Sequence, residues 1–170
     1  MKQIRVSANP GMMQKIDYLI TRAKAEYALQ IAHIETECFS HPWSEKQIKD
    51  EISNENALFL TAVSDDTVCG YVSGQLILDE FYISNIAVSS EFRRCGIGSA
   101  LIKSLIERLT KINCVLLTLE VRESNSSAIQ LYENFGFQYI GNRKGFYSFP
   151  REDARIYTLY LKNNQKEKLN

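Results

Sequence analysis

The chain has 170 residues, 45% apolar and 24% charged, and its 20 basic and 20 acidic side chains cancel. Length and balance suit one soluble globular domain with its own core. Zero net charge excludes a broadly basic nucleic-acid binder, and apolar runs such as Val115–Leu119 are far too short to cross a bilayer.

Residues 1–15 read as a flexible lead, broken by Pro10 and Gly11 and without the apolar core of a secretory signal. A cytoplasmic location is expected. Cys38, Cys69, Cys95 and Cys114 form no CxxC pair, and His33 and His41 lack a second ligand pair at zinc spacing. Free thiols and no metal are the expectation.

A short strand is predicted over 17–23. Over 26–39, Ala28, Ile31, Ala32, Ile34 and Phe39 fall near helical spacing. Ser44 and Gln47 make a capping box that opens a second helix. Strands follow over 57–63, 68–78 and 81–88, with Asp65-Asp66 as the turn between the first two. Leu101, Ile102, Leu105, Ile106 and Leu109 then form an amphipathic helical stripe. Residues 114–121 are almost all apolar, as in a strand buried on both faces. A helix over 126–135 ends at Gly136, a residue suited to the position after a helix. Strands over 137–141 and 154–161 close the chain, joined by a loop with Gly145, Phe146, Tyr147 and Pro150. Residues 163–170 read as a polar tail, which leaves 16–162 as the folded domain. With no internal repeat, the alternation describes a mixed α/β, or α+β, architecture.

The stretch RRCGIGSALI, residues 93–102, places Gly96 and Gly98 where the amphipathic helix begins. Glycine inside a helix is costly, whereas a glycine turn leading into one lets backbone N–H groups approach an anion closely. Arg93 and Arg94 add side-chain donors suited to phosphate. Leu101 stands where a dinucleotide fingerprint needs glycine, and the Lys-Ser/Thr of a Walker loop is absent. Chance glycines at a loop–helix joint are the alternative.

Arg93-x-x-Gly96-x-Gly98, between a strand and a long helix, resembles the acetyl-coenzyme A signature of the GNAT acetyltransferase family. The order of elements over residues 17–161 is similar too. The blocks HPWSEK (41–46), NIAV (85–88), LEVRESNSSAIQLYENFGF (119–137) and REDARIY (151–157) are similar to the RimI-type branch. That branch modifies the α-amino group of a small-subunit ribosomal protein. The resemblance implies a central mixed sheet of about six to seven strands with about four helices. Its fourth and fifth strands would splay around acetyl-CoA.

By that resemblance, the diphosphate of acetyl-CoA meets the backbone of Arg94, Cys95, Gly96, Ile97, Gly98 and Ser99, beside Arg93. Ile86, Ala87 and Val88 pair with the pantetheine arm, and Asn125 hydrogen-bonds it. Glu120 is the general base, working through water, and Tyr132 protonates the departing thiolate. Each has a plainer reading from sequence alone. Glu120 could be a strand-end partner of Arg122, Tyr132 a core side chain, and Asn125 a helix N-cap. Cys95 occupies a variable position and has no assigned chemistry. Trp43 and Tyr147, with Pro42, Gly145 and Phe146, could grip a peptide terminus or cover the core edge. Glu80 could meet a substrate ammonium or face water.

The expected activity is acetyl transfer by direct amine attack to a protein N-terminus, foremost the N-terminal alanine of a small-subunit ribosomal protein. Another protein terminus or a small amine would use the same chemistry. A coenzyme A-binding module without catalysis is the reading from another class. No direct nucleic-acid or membrane partner is expected, and the chain is expected to act as a monomer or weak dimer.

Overall fold

The computed structural model describes residues 16–161 in full and residues 4–7 at the level of the backbone. The elements in order are β1 (Ile4–Ser7), β2 (Asp17–Arg22), α1 (Ala28–Cys38), α2 (Glu45–Ser53), β3 (Ala57–Ser64), β4 (Thr67–Ile77), β5 (Glu80–Val88), α3 (Ile97–Lys111), β6 (Leu116–Arg122), α4 (Ser126–Asn134), β7 (Gln138–Ser148) and β8 (Arg151–Tyr160). Seven strands and four helices lie between Asp17 and Tyr160, as expected. The eighth strand, β1, falls inside the expected lead. Its backbone pairs antiparallel with β2 from Ile4↔Ile20 to Ser7↔Asp17, satisfying an edge that would otherwise present unpaired groups. The other residues of the lead, and the expected tail over 163–170, lie outside the described residues.

The chain divides into two compact units. One takes residues up to Gln75 together with Ile83–Leu105, and the other takes Leu76–Tyr82 and residues from Ile106 onward. In the first, the strand order is β1-β2-β3-β4-β5. Asp65 (φ 44°) and Asp66 (φ 65°) form the predicted turn between β3 and β4, with the two positive φ values that a tight hairpin needs. Ser44 Oγ accepts from Gln47 N, and Gln47 Oε1 accepts from Ser44 N at 2.9 Å, so the capping box forms as read. Ala28, Ile31 and Ile34 of α1 and Ile48 of α2 are buried against Phe59, Val68, Tyr71 and Ala87. This face is one apolar contribution to the unit's stability.

Gly70 in β4 is fixed by space. A Cβ there would lie 2.7 Å from the Ala87 carbonyl oxygen and 3.2 Å from Val88 Cα. Both are backbone atoms, so no rotamer change relieves the overlap. Gly70→Ala is expected to cost about 1–3 kcal/mol, the range for overpacking. Thermal melting checks this, and a parental midpoint would show that β5 yields freely.

In the second unit the order is β5-β6-β8-β7. β5 and β6 are parallel, and their ladder is short, Glu80–Tyr82 against Leu116–Thr118. Counted from Asp17 these are the fourth and fifth strands, and a ladder that ends so soon fits their expected splay. On β6, Leu117, Leu119 and Val121 are buried, while Leu116, Thr118, Glu120 and Arg122 are only partly covered. The expected burial on both faces is thus corrected to one buried face and one half-open face. At the helix end, Gly136 takes φ +87°, as read.

Most of the loop expected between the closing strands is instead strand: residues 142–148 extend β7 and 151–153 open β8, leaving Phe149 and Pro150 as the turn. Arg143 pairs with Ala154 and Tyr147 with Glu152, so residues 144–146 stand opposite Asp153 alone. Gly145, at φ +61°, absorbs the bulge, and its N–H donates to Asp153 Oδ1 at 2.7 Å. Glycine and aromatics that read as a loop are a bulge in a long hairpin.

Candidate active site

The end of β5 leads through a tight turn into α3. Ser89 N donates to the Cys69 carbonyl at 3.0 Å, and Ser90 N donates to Glu37 Oε1 at 2.6 Å. Hydrogen bonds from Ser90 hold the Glu37 carboxyl below its usual range. Arg93 Nε donates to the Val88 carbonyl at 3.2 Å, and one Nη lies 3.4 Å from Cys38 Sγ and 3.8 Å from Glu37. These contacts make Arg93 a brace that ties the turn to α1. Of the expected cofactor strand, Ala87 is buried, and Ile86 and Val88 are partly exposed.

Arg94 (φ 65°) and Gly96 (φ 76°) are both left-handed, a conformation that glycine adopts without strain. Cys95 and Ile97 point inward, while Arg94, Gly96 and Ser99 are exposed and Gly98 is partly so. Cys95 therefore serves packing. The Ala100 N–H bonds the Gly96 carbonyl at 3.0 Å. The amides of Ile97, Gly98 and Ser99 precede that first helical bond, beside the positive end of the helix dipole. The nearest atom to a Cβ built on Gly96 is Tyr18 Oη, at 3.9 Å. An open, exposed turn with forward-facing amides and Arg94 beside it fits a diphosphate.

Trp43, expected on the acceptor side, is half-buried and packs against the α1–α2 core. Its backbone N–H donates to Glu35 Oε2 at 3.0 Å. Glu35 is fully buried and also accepts from Asn85 Nδ2, at 2.7 Å, and from Tyr71 Oη. Burial, then the adjacent Glu35, pushes the Tyr71 phenol far up. The reading from sequence missed this cluster. Its signal was present: Glu35 lies four residues after Ile31 and seven after Ala28, on the apolar stripe of α1.

In the second unit the half-open face of β6 carries Glu120. Its partner is Arg143 of β7, with Nη1 to Oε1 at 3.0 Å. The alternative pairing with Arg122 is thus corrected. Arg122 instead bonds Glu152 at 3.2 Å and the Phe149 and Pro150 carbonyls, and its guanidinium stacks over Tyr147 at 4.1 Å. The Tyr147 hydroxyl donates to the Glu120 carbonyl at 3.4 Å. Tyr132 on α4 is 4% exposed, with its ring 5.7 Å from Phe137. Burial first, then the charge effect of Tyr147, pushes its phenol above the ordinary value. Burial also raises Tyr147, with Arg122 opposing.

Glu120, Tyr132 and Tyr147 belong to one unit: a half-open carboxylate, a buried phenol, and a second phenol hydrogen-bonded to the Glu120 backbone carbonyl. A carboxylate and a phenol are groups that can take up and deliver protons. Asn125 Oδ1 accepts from Ala128 N at 3.2 Å, so that oxygen caps α4. Glu80 accepts from the Tyr82 hydroxyl at 2.7 Å rather than simply facing water.

The glycine turn before α3 can bind an anion, and the carboxylate on β6 can accept a proton. The sequence matches the acetyltransferase (GNAT) family over residues 28–137, and the chain belongs to that family. Acetyl-CoA is its cosubstrate. The [ribosomal protein bS18]-alanine N-acetyltransferase of Escherichia coli K12 is 38% identical over 129 residues, covering 75% of this chain and 86% of that protein. The Haemophilus influenzae enzyme of the same name is 35% identical over 135 residues, covering 78% and 91%. The crystal structure of the Escherichia coli ribosomal-protein-S18-alanine N-acetyltransferase superposes with a TM-score of 0.81 at 34% identity, covering 90% of this chain and 99% of that one. Arabidopsis thaliana NAA60, solved with acetyl-CoA, shares the fold at 17% identity and a TM-score of 0.77, covering 85% and 98%.

All four cysteines are free. Burial raises the thiols of Cys38 and Cys114, and pushes Cys69 up to about 11, so these three are poor nucleophiles at neutral pH. Among the described residues, no cluster could hold a metal, and no helix is long and apolar enough to cross a membrane.

Proposed function

We propose that the chain acetylates the α-amino group of a protein N-terminus in the cytoplasm, foremost the N-terminal alanine of ribosomal protein bS18. The observation that carries the acceptor is the relationship to the Escherichia coli bS18-alanine N-acetyltransferase, which extends over 86% of that protein. The amides of Ile97–Ser99, with Arg94, hold the diphosphate of acetyl-CoA, and the backbone of Ile86–Val88 pairs with the pantetheine arm. Asn125 has its side-chain nitrogen left to meet that arm while its oxygen caps α4. Trp43, Glu80 and Tyr147 serve the acceptor.

Glu120 takes a proton from the acceptor ammonium through water, leaving a neutral amine. The amine nitrogen forms its bond to the acetyl carbon as the carbon–sulfur bond breaks. Tyr132 delivers a proton to the departing sulfur. Direct transfer needs no enzyme nucleophile, which agrees with the inward-facing Cys95.

The test is incubation with acetyl-CoA and peptides that differ in their first residue, followed by fragmentation mass spectrometry. Acetylation at the α-amino group of a bS18 peptide beginning with alanine is the expected result. Modification confined to lysine side chains, or no modification of any peptide, would overturn the proposal.

A further inference from the structure

We propose that Glu35 is a positioning residue that clasps the α1–α2 connection and thereby sets the enzyme's grip on its acceptor; this rests on the acceptor role proposed for Trp43. Its backbone carbonyl accepts from Phe39 N at 2.9 Å, closing α1, and its Oε2 accepts from Trp43 N at 3.0 Å. One residue thus ties both ends of the segment 39–43. Its Oε1 accepts from Tyr71 on β4 and Asn85 on β5, anchoring that segment to the sheet.

A carboxylate withdrawn from water persists only when its oxygens are satisfied, and here three donors, one from the α1–α2 connection and one each from β4 and β5, do so. Losing the carboxylate would affect those donors unequally. β3 and β4 keep their ladder, from Ala57↔Gln75 to Ser64↔Thr67, and Tyr71 sits within it. Asn85 belongs to a nine-residue strand. The Trp43 amide belongs to neither a helix nor a strand. The loss therefore falls on the connection, which carries Pro42 and Trp43, rather than on the cofactor turn.

Trp43 is the only tryptophan in the chain, so its fluorescence reports on this segment directly. Glu35→Ala is expected to increase acrylamide quenching of Trp43. It should also raise the KM of the peptide acceptor about tenfold, as loss of a hydrogen bond to a charged group would. The KM for acetyl-CoA and kcat should stay within about twofold. Glu35→Gln should recover most of the loss. Its amide oxygen still accepts from Trp43, while Tyr71 rotates and Asn85 flips to accept from the amide nitrogen.

A role confined to stability would lower the active fraction and leave both KM values in place, which would overturn the proposal. Greater quenching with a parental acceptor KM would overturn it too. If Glu35→Ala does not fold, hydrogen exchange of the parental Trp43 amide decides: protection supports the clasp, and exchange at a free-loop rate refutes it. A parent that acetylates no peptide would sink the proposed acceptor, while exchange and quenching would still judge the clasp.

Discussion

Glu120→Gln is expected to lower kcat/KM for an alanine-terminated peptide by about 10²–10⁴, the range attributed to a positioned general base. The folded state should be almost untouched. The Glu120–Arg143 pair is 31% and 59% exposed on its two sides, and such pairs contribute about 0–1 kcal/mol. Steady-state kinetics and a thermal melt, run on the same preparation, separate the two effects. Activity within a fewfold of the parent would remove Glu120 from the base role. Equal losses of activity and stability would make it a structural residue.

Tyr132→Phe is the second large effect, a fall in kcat of about 10²-fold or more, as for loss of a general acid. The ring of Phe fills nearly the same volume and keeps its packing against Phe137, so coenzyme binding should change little. The pH dependence is specific. Burial raises the phenol above its ordinary value of about 10. The proton is therefore retained through neutral and mildly alkaline pH, and parental kcat should show no fall from Tyr132 ionisation below about pH 10. The stability sign follows from proton counts. Above about pH 10 the unfolded tyrosine loses its proton while the folded one keeps it. The unfolded state then binds fewer protons, so stability falls as pH rises through that window. An alkaline inflection in parental kcat near neutrality that vanishes in the Phe variant would contradict a raised phenol.

Much of this was legible because it is local. Ser44 and Gln47 are three residues apart, and the capping box needs nothing else. Asp65-Asp66 between two apolar runs implies a turn from chain geometry alone. The glycine turn and the carboxylate of β6 could be placed by their motifs.

What escaped is set across the sheet. Arg122, two residues from Glu120, was the natural partner to weigh, yet Arg143 takes that place. Arg122 and Arg143 both align with Ala154 on β8, and only the register of three strands decides which of them reaches the carboxylate. Glu35 was hidden for a related reason. An acidic residue on an apolar stripe reads as a flaw in the pattern until its donors are known, and these are 8, 36 and 50 residues away.

The bulge at residues 144–146 separates two kinds of change in this hairpin. The exposed side chain of Phe146 can be exchanged without disturbing the alignment of Tyr147 with Glu152, whereas position 145 is held to glycine by its φ of +61°. Altering the number of residues is different. Because neighbours along a strand point to opposite faces, one deletion would turn Tyr147 away from the Glu120 carbonyl. Change at this hairpin is thus open to substitution beside Gly145 and closed to single-residue insertion or loss.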